Sequence, residues 1–86
     1  MNFYDTLQQM DYQVKEKTDK YILIIKHKRV SDIVIIFDIK EKAISGYLKP
    51  NDILKDLEDV SYQYSLFREM QNDLKELSKL SNYDIL

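Results

Sequence analysis

The sequence predicts an α+β fold: a three- to four-stranded antiparallel sheet with an N-terminal helix and one or two C-terminal helices. Two runs rich in β-branched residues, 21–25 and 33–39, lie either side of a basic turn and predict a hairpin. An apolar pattern with helical spacing precedes this hairpin, and a longer one follows Pro50. With 86 residues, one Gly and one Pro, the chain lacks a linker and is expected to form a single domain over residues 1–86.

The first helix is predicted over residues 2–10. Phe3, Leu7 and Met10 recur at i, i+4 and i+7, which places them on one stripe that should lie on the sheet. Asn2 precedes the stripe, and its side chain can cap the helix.

The four strands are predicted at about 12–17, 21–28, 32–39 and 43–48. The first is typical of an edge strand because lysines alternate with Tyr12 and Val14. The second and third are apolar on both faces, so either both faces are covered or one lies at an oligomer interface. Gly46 in the fourth strand indicates a bulge or a point of close approach.

A helical region is predicted over residues 51–81, because Pro50 fixes φ for a first helical turn and Asn51 or Asp52 can accept from its free amides. A helix rises about 1.5 Å per residue and a strand about 3.3 Å per residue. A continuous helix over this region would therefore extend about half its length beyond a seven-residue strand. We favour a break near 59–61, with pairing of the overhang with a partner as the alternative.

The apolar core positions of this region follow heptad spacing and comprise Leu57, Val60, Tyr64 and Phe67. Later in the region, Gln71 and Ser78 occupy the same heptad positions. Polar residues at these positions argue against a coiled coil. The tail 82–86 is predicted to fray.

Charge is divided between the two halves of the chain. Residues 15–49 hold nine Lys/Arg against five Asp/Glu, a balance of +4, and residues 50–86 hold four against eight, a balance of −4, within a net charge of −2. This asymmetry favours attraction between a basic sheet and an acidic helical layer.

The composition argues against several classes of protein. With no Cys and one His, the chain has neither a disulfide framework nor the ligands of a zinc site, and we expect no metal, cofactor or catalytic residue. Residues 1–10 lack the basic and apolar segments of a signal peptide. The longest apolar stretch, 33–37, is too short to span a bilayer. We therefore expect a non-enzymatic protein of the cytoplasm.

Two charged clusters are candidate binding sites. The turn Lys26-His27-Lys28-Arg29 can contact phosphates, which predicts a nucleic-acid-binding module, or it can be a solvated turn that blocks edge pairing. In the helical region, Asp52, Asp56 and Asp59 recur at i, i+4 and i+7 and so share one face without an attractive partner, and Glu58 lies in the same acidic cluster. These acidic residues can face a basic groove on a partner protein.

The opening Met1-Asn2, Asp5 and the segment Asp11-Tyr12-Gln13-Val14-Lys15, followed by an aliphatic hairpin and terminal helices, resemble a small type II anti-CRISPR family from phages of Gram-positive bacteria. The resemblance implies a non-enzymatic inhibitor that occupies the protospacer-adjacent-motif site of an RNA-guided nuclease with acidic groups.

Residue by residue, the resemblance implies partner contacts at Asp11 and Tyr12, near the hairpin turn at Asp38 and Glu41, and at Glu58 and Asp59 before the last helix. The turn here, Lys40-Glu41-Lys42, is not net acidic.

Together these observations predict a phage or mobile-element accessory protein that binds a host protein stoichiometrically in the host cytoplasm. Its target would be an RNA-guided nuclease or another defence protein. Two alternatives stay open: the nucleic-acid-binding module and a structural homodimer formed through the two-sided apolar strands.

Overall fold

A computed structural model describes residues 2–51, 53 and 55–86 of the chain. Their elements, in chain order, are α1 (Phe3–Gln9), β1 (Gln13–Lys17), β2 (Tyr21–Lys26), β3 (Ser31–Asp38), β4 (Ala43–Pro50), α2 (Leu57–Ser81) and β5 (Asp84–Ile85). The predicted α+β class is confirmed. The sheet has five strands instead of the predicted three to four, and one long helix follows β4 in this part of the chain.

The strands lie in the order β1-β2-β3-β4-β5. β1 to β4 form successive antiparallel hairpins, whereas β5 pairs parallel with β4. The prediction that the tail 82–86 frays is therefore wrong. Asn82, in the left-handed conformation with φ 61°, ends α2 and redirects the chain toward β4, where the amide of Leu86 donates to the carbonyl of Ile44 at 2.9 Å.

The ends of β1 to β4 and of α1 lie within two residues of their predicted positions. Asn2 caps α1 as predicted, because its Oδ1 accepts from the amide of Asp5 at 2.8 Å. β1 is an edge strand with every residue exposed, and a bulge falls between Val14 and Glu16. Exposed polar side chains and a bulge both discourage pairing with another chain at this edge.

The hydrophobic core lies between one face of the sheet and the two helices. The sheet contributes Ile22, Ile24, Ile33, Ile35, Phe37 and Ile44, and the helices contribute Leu7, Leu66, Met70, Leu74 and Leu77. Gly46 confirms the predicted close approach, because a Cβ there would lie 3.1 Å from Sδ of Met70. The absence of a side chain at this position lets α2 pack directly on β4.

α2 runs without interruption from Leu57 to Ser81, so the favoured break near 59–61 is wrong. The predicted start at 51 is wrong as well. Pro50 pairs with Ser31 at the end of β4, and Nδ2 of Asn51 donates to the carbonyl of Lys28 at 2.9 Å.

Because Asn51 is held by the β2–β3 connection, it does not cap a helix. Asp52, the other predicted cap, lies outside the described residues. The observed cap of α2 is Asp56, whose side chain accepts from the amide of Asp59.

Candidate functional site

Lys26, predicted to lie in a solvated basic turn, is instead buried between the sheet and α2. It is the last residue of β2 and lies on the same face as Ile24, so its side chain points under the helix. Its Nζ lies 2.9 Å from Oε2 of Glu69 and 2.8 Å from Oδ2 of Asp73. The two carboxylates supply the partners that a buried ammonium group requires.

Tyr12 completes this ion cluster. Its hydroxyl donates to Oδ2 of Asp73 at 2.8 Å, and its ring lies 4.6 Å from Nζ of Lys26. Burial, followed by the hydrogen bond to Asp73, raises the pKa of Tyr12 far above its ordinary value. Tyr12 therefore stays neutral, and its buried hydroxyl is a donor that holds α2 to the start of β1.

The charged groups of the cluster hold one another in their ionised forms. Burial opposes the charge on Lys26, but the hydrogen bonds to Asp73 and Glu69 outweigh it and raise the pKa of Lys26. Burial likewise opposes the charge on Glu69, and the hydrogen bond from Lys26 outweighs it and lowers the pKa of Glu69. The cluster is thus an internal ion network between β2 and α2.

His27 has a carboxylate partner that the sequence did not indicate. Its Nδ1 lies 3.1 Å from Oδ1 of Asp32, the second residue of β3. Burial opposes the charge on Asp32, but hydrogen bonds from Asn51 and His27 lower its pKa. His27 itself keeps 60% of its side chain exposed.

The remaining cations of the turn are paired too. Nζ of Lys28 lies 3.5 Å from Glu69, and Nη1 of Arg29 lies 3.5 Å from Oδ1 of Asp59. The guanidinium of Arg29 also stacks over the ring of Tyr62 at 4.5 Å. Lys26, Lys28 and Arg29 therefore each contact a carboxylate of the same chain, which reduces the charge available to a phosphate backbone.

The acidic residues at the start of α2 have structural partners. Asp56 caps the helix, and Asp59 accepts from the amide of Lys55 at 3.1 Å while it pairs with Arg29. The prediction that Asp59 has no attractive partner is wrong. Of the three predicted acidic contacts, Glu58 is exposed and free of these roles.

The residues implied by the resemblance lie at opposite ends of the sheet. Asp11, with φ 67°, is exposed just before β1, at the same end as the basic turn and the start of α2. Asp38 ends β3 at the other end, and its side chain accepts from the amide of Glu41 in the turn at 3.0 Å. At about 3.4 Å per residue, the two groups are about 20 Å apart.

A continuous apolar surface lies on the outer side of α2. It comprises Leu57, Val60, Tyr64 and Phe67, which are 84%, 50%, 66% and 46% exposed. We call these four residues the outer stripe. Sequence analysis took them as core positions, but the side of α2 that faces the sheet carries Leu66, Met70, Leu74 and Leu77. The first three turns of α2 therefore carry an uncovered apolar side, and the buried side of the helix begins at Leu66.

No helix in the described part of the chain has the length and apolar character needed to cross a membrane. Within residues 2–51, 53 and 55–86, no three His, Cys, Asp or Glu side chains are grouped so that they could hold a metal ion. Comparison with protein-family models, with curated proteins and with solved structures finds no match for this chain. Function therefore has to be inferred from the molecule's own surfaces.

Proposed function

We propose that the protein acts by stoichiometric binding to another protein, and that the outer stripe of α2 is its contact surface. The observation that supports this is the exposure of four large apolar side chains, 46% to 84% each, at i, i+3, i+7 and i+10 of one helix. This is the spacing with which a helix fills an apolar groove on a partner. Contiguous exposed apolar surface of this kind marks interaction sites.

The energy available from the outer stripe suits a specific complex. Complete burial of a large apolar side chain is worth roughly 1.5–3 kcal/mol, so the exposed parts of four such residues offer roughly 4–7 kcal/mol before the cost of association. Tyr64 and Phe67 lie next to each other on the stripe, and aromatic residues often dominate binding energy.

The groove that fits this stripe is apolar, with at most a weakly basic rim. Asp56 and Asp59 are occupied in capping α2 and in pairing with Arg29, so of the described acidic residues at the start of α2, Glu58 is the one without these roles. Binding should therefore depend little on salt, because screening acts on exposed charges and not on buried apolar contacts.

The finer proposal is that the protein is encoded by a phage or mobile element and inhibits a host defence protein, such as an RNA-guided nuclease, in the host cytoplasm without catalysing a reaction. It rests on the sequence resemblance. Because Asp11 lies about 20 Å from Asp38 and Glu41 along the sheet, these acidic groups would have to engage separate parts of such a target. We therefore place the main contact on α2.

The test uses immobilised protein and a lysate of the host, followed by titration of each captured protein after purification. Wild type is compared with a Tyr64→Ser, Phe67→Ser double variant and with Val14→Ser, a control whose side chain is 40% exposed on β1. We expect the double variant to bind the purified partner roughly 100-fold more weakly and the control to bind as wild type.

Two results would contradict the proposal. One is equal affinity of the double variant and wild type for the captured partner. The other is tight binding of DNA or RNA alone with an affinity that falls steeply with salt, which is the behaviour of a nucleic-acid-binding module. In that case Lys28→Ser with Arg29→Ser should remove most of the affinity.

A further inference from the structure

An open groove lies at one end of the sheet face that is opposite the helices, and its volume is about 620 Å³. Leu23 of β2 and Ile36 of β3 pair across the two strands, are half-buried and form its floor. The next pair along the same face, Ile25 and Val34, is already buried, so the groove does not extend past this floor. The residues that line the groove are Lys20, Tyr21, Leu23, Ile36, Asp38 and Lys40.

Tyr21 forms a fixed wall of this groove. Its hydroxyl donates to Oε1 of Glu16 at 2.7 Å, and its backbone amide donates to Oγ1 of Thr18 at 3.1 Å. A ring that is held at both ends keeps its orientation before a ligand arrives, which lowers the cost of binding. A second ring can pack on it in an offset or edge-to-face arrangement.

Two exposed lysines border the groove at its turn end. Lys20 precedes β2 and Lys40 follows β3, and the amide of Ile39 donates to the carbonyl of Lys20 at 3.0 Å, which holds the two turns together. Neither lysine forms an ion pair with a carboxylate of the described residues. The carboxylate that lines the groove, Asp38, accepts from the amide of Glu41. Two positive charges against one negative charge favour an anionic ligand.

We propose that the groove binds a small anion with a flat aromatic body. The rings would pack on the apolar floor and on Tyr21, and the anionic group would contact Lys20 and Lys40. A cavity of this volume with an apolar floor and a few charged groups at its border is typical of small-molecule sites. The proposal does not depend on the outer stripe, which lies on the far side of α2.

The floor also restricts the kind of aromatic body. Leu23 and Ile36 carry no side-chain hydrogen-bonding group, so a ring with polar edges would lose its bound water without gaining a partner. The ligand is therefore expected to be a hydrocarbon-like ring system with one anionic group, and a nucleotide should bind poorly.

Anilinonaphthalene sulfonate is the probe, because it is an aromatic anion whose fluorescence rises in apolar surroundings. We expect it to bind the native protein at low salt with a dissociation constant of roughly tens of micromolar. Phenylnaphthylamine, which has the same rings without the sulfonate, should bind at least about fivefold more weakly. Adenosine monophosphate should bind at least about tenfold more weakly.

Substitution of the two lysines tests the charged border. Lys20→Gln and Lys40→Gln should each weaken binding of the sulfonate about 2–5-fold and together about 5–20-fold, without changing the affinity for phenylnaphthylamine. Both lysines are exposed, so the variants should fold as wild type does. Lys75→Gln removes one charge from an exposed position of α2 and is the matched control, which should bind as wild type.

Nitrogen–proton correlation spectra locate the bound probe. The largest shifts should fall on residues 20–23 and 36–40, and the Tyr64→Ser, Phe67→Ser double variant should bind the sulfonate as wild type. Shifts centred on residues 57–67, loss of binding in that double variant, equal affinity for the sulfonate and phenylnaphthylamine, or unchanged affinity after both lysine substitutions would each overturn the proposal. None of these results decides whether the outer stripe binds a protein.

Discussion

Replacement of Lys26 by methionine keeps the length of the side chain and removes the ammonium group that Glu69 and Asp73 share. The side chain of Lys26 is 9% exposed, that of Asp73 is 15% exposed and that of Glu69 is 34% exposed. Lys26→Met therefore leaves one mostly buried carboxylate and one partly exposed carboxylate without their cation.

The expected loss of stability follows from these exposures. Removal of one partner of a fully buried ion pair costs about 3–5 kcal/mol. Here Glu69 can regain water, and Asp73 keeps the hydrogen bond from Tyr12, so we expect the free energy of unfolding to fall by about 2–3 kcal/mol. For a domain of this size that lowers Tm by about 10–20 °C.

Urea and thermal unfolding followed by circular dichroism measure this loss. Lys28→Met is the matched control, because Lys28 is 31% exposed and lies 3.5 Å from the same Glu69; we expect it to cost less than about 1 kcal/mol. If Lys26→Met unfolds within about 0.5 kcal/mol of wild type at pH 7, the ion cluster does not hold α2 to the sheet.

The pH dependence identifies the loss as electrostatic. The pKa of Glu69 is lowered in the folded chain, so its contribution is present above its ordinary value of 4.5 and is lost as the pH falls through the folded pKa. The pKa of Lys26 is raised, so its contribution is present below 10.5 and is lost as the pH rises through the folded pKa. The difference between wild type and Lys26→Met should therefore be largest near neutral pH and smaller below about pH 4.

Two further substitutions test the packing and the capping of α2 by the same unfolding measurements. Gly46→Ala should cost about 1–2 kcal/mol, because its Cβ would lie 3.1 Å from Sδ of Met70 and 3.2 Å from the carbonyl oxygen of Val34, which belongs to the sheet and cannot move freely; an unchanged Tm would mean that α2 has room to shift. Asp56→Ala should cost about 1 kcal/mol and Asp56→Asn only a few tenths, since asparagine can still accept from the amide of Asp59; equal losses would show that the charge matters and the hydrogen bond does not.

The strands were predictable because their signal is local. Alternation and β-branched runs placed β2 and β3 within two residues of their observed ends, and a single glycine marked where α2 approaches the sheet. β5 gave no such signal. It has two residues, 84 and 85, and forms because Asn82 turns the chain back to the free edge of β4.

The prediction of the buried side of α2 was wrong because two apolar patterns overlap in the sequence. The heptad pattern begins at Leu57, and a second pattern runs Leu66, Met70, Leu74, Leu77 at intervals of four, four and three. Helical spacing alone does not say which stripe meets the sheet. The second continues apolar to the end of the helix, whereas the first meets Gln71 and Ser78, and that difference was the available signal.

The prediction that Lys26 lies in a solvated turn was wrong for a related reason. Four consecutive basic residues resemble a solvated turn, yet the two-residue period of β2 puts Lys26 on the face of Ile22 and Ile24. A lysine on the covered face needs a carboxylate from the covering helix, and Glu69 and Asp73 are spaced to supply it. The two-residue period of β2 and the charges of Lys26, Glu69 and Asp73, considered together, predict the ion cluster.

Part of the uneven distribution of charge is used inside the molecule. Among the ion pairs of the described residues, those of Lys26, Lys28 and Arg29 all join the basic half of the chain to acidic side chains of α2, which confirms the predicted attraction between the two layers. On the outer side of α2, the outer stripe remains as exposed apolar surface. A molecule whose basic turn is paired with its own carboxylates and whose outer stripe is exposed is suited to a partner that buries that apolar surface, because a highly charged polymer gains little from cations already held by carboxylates.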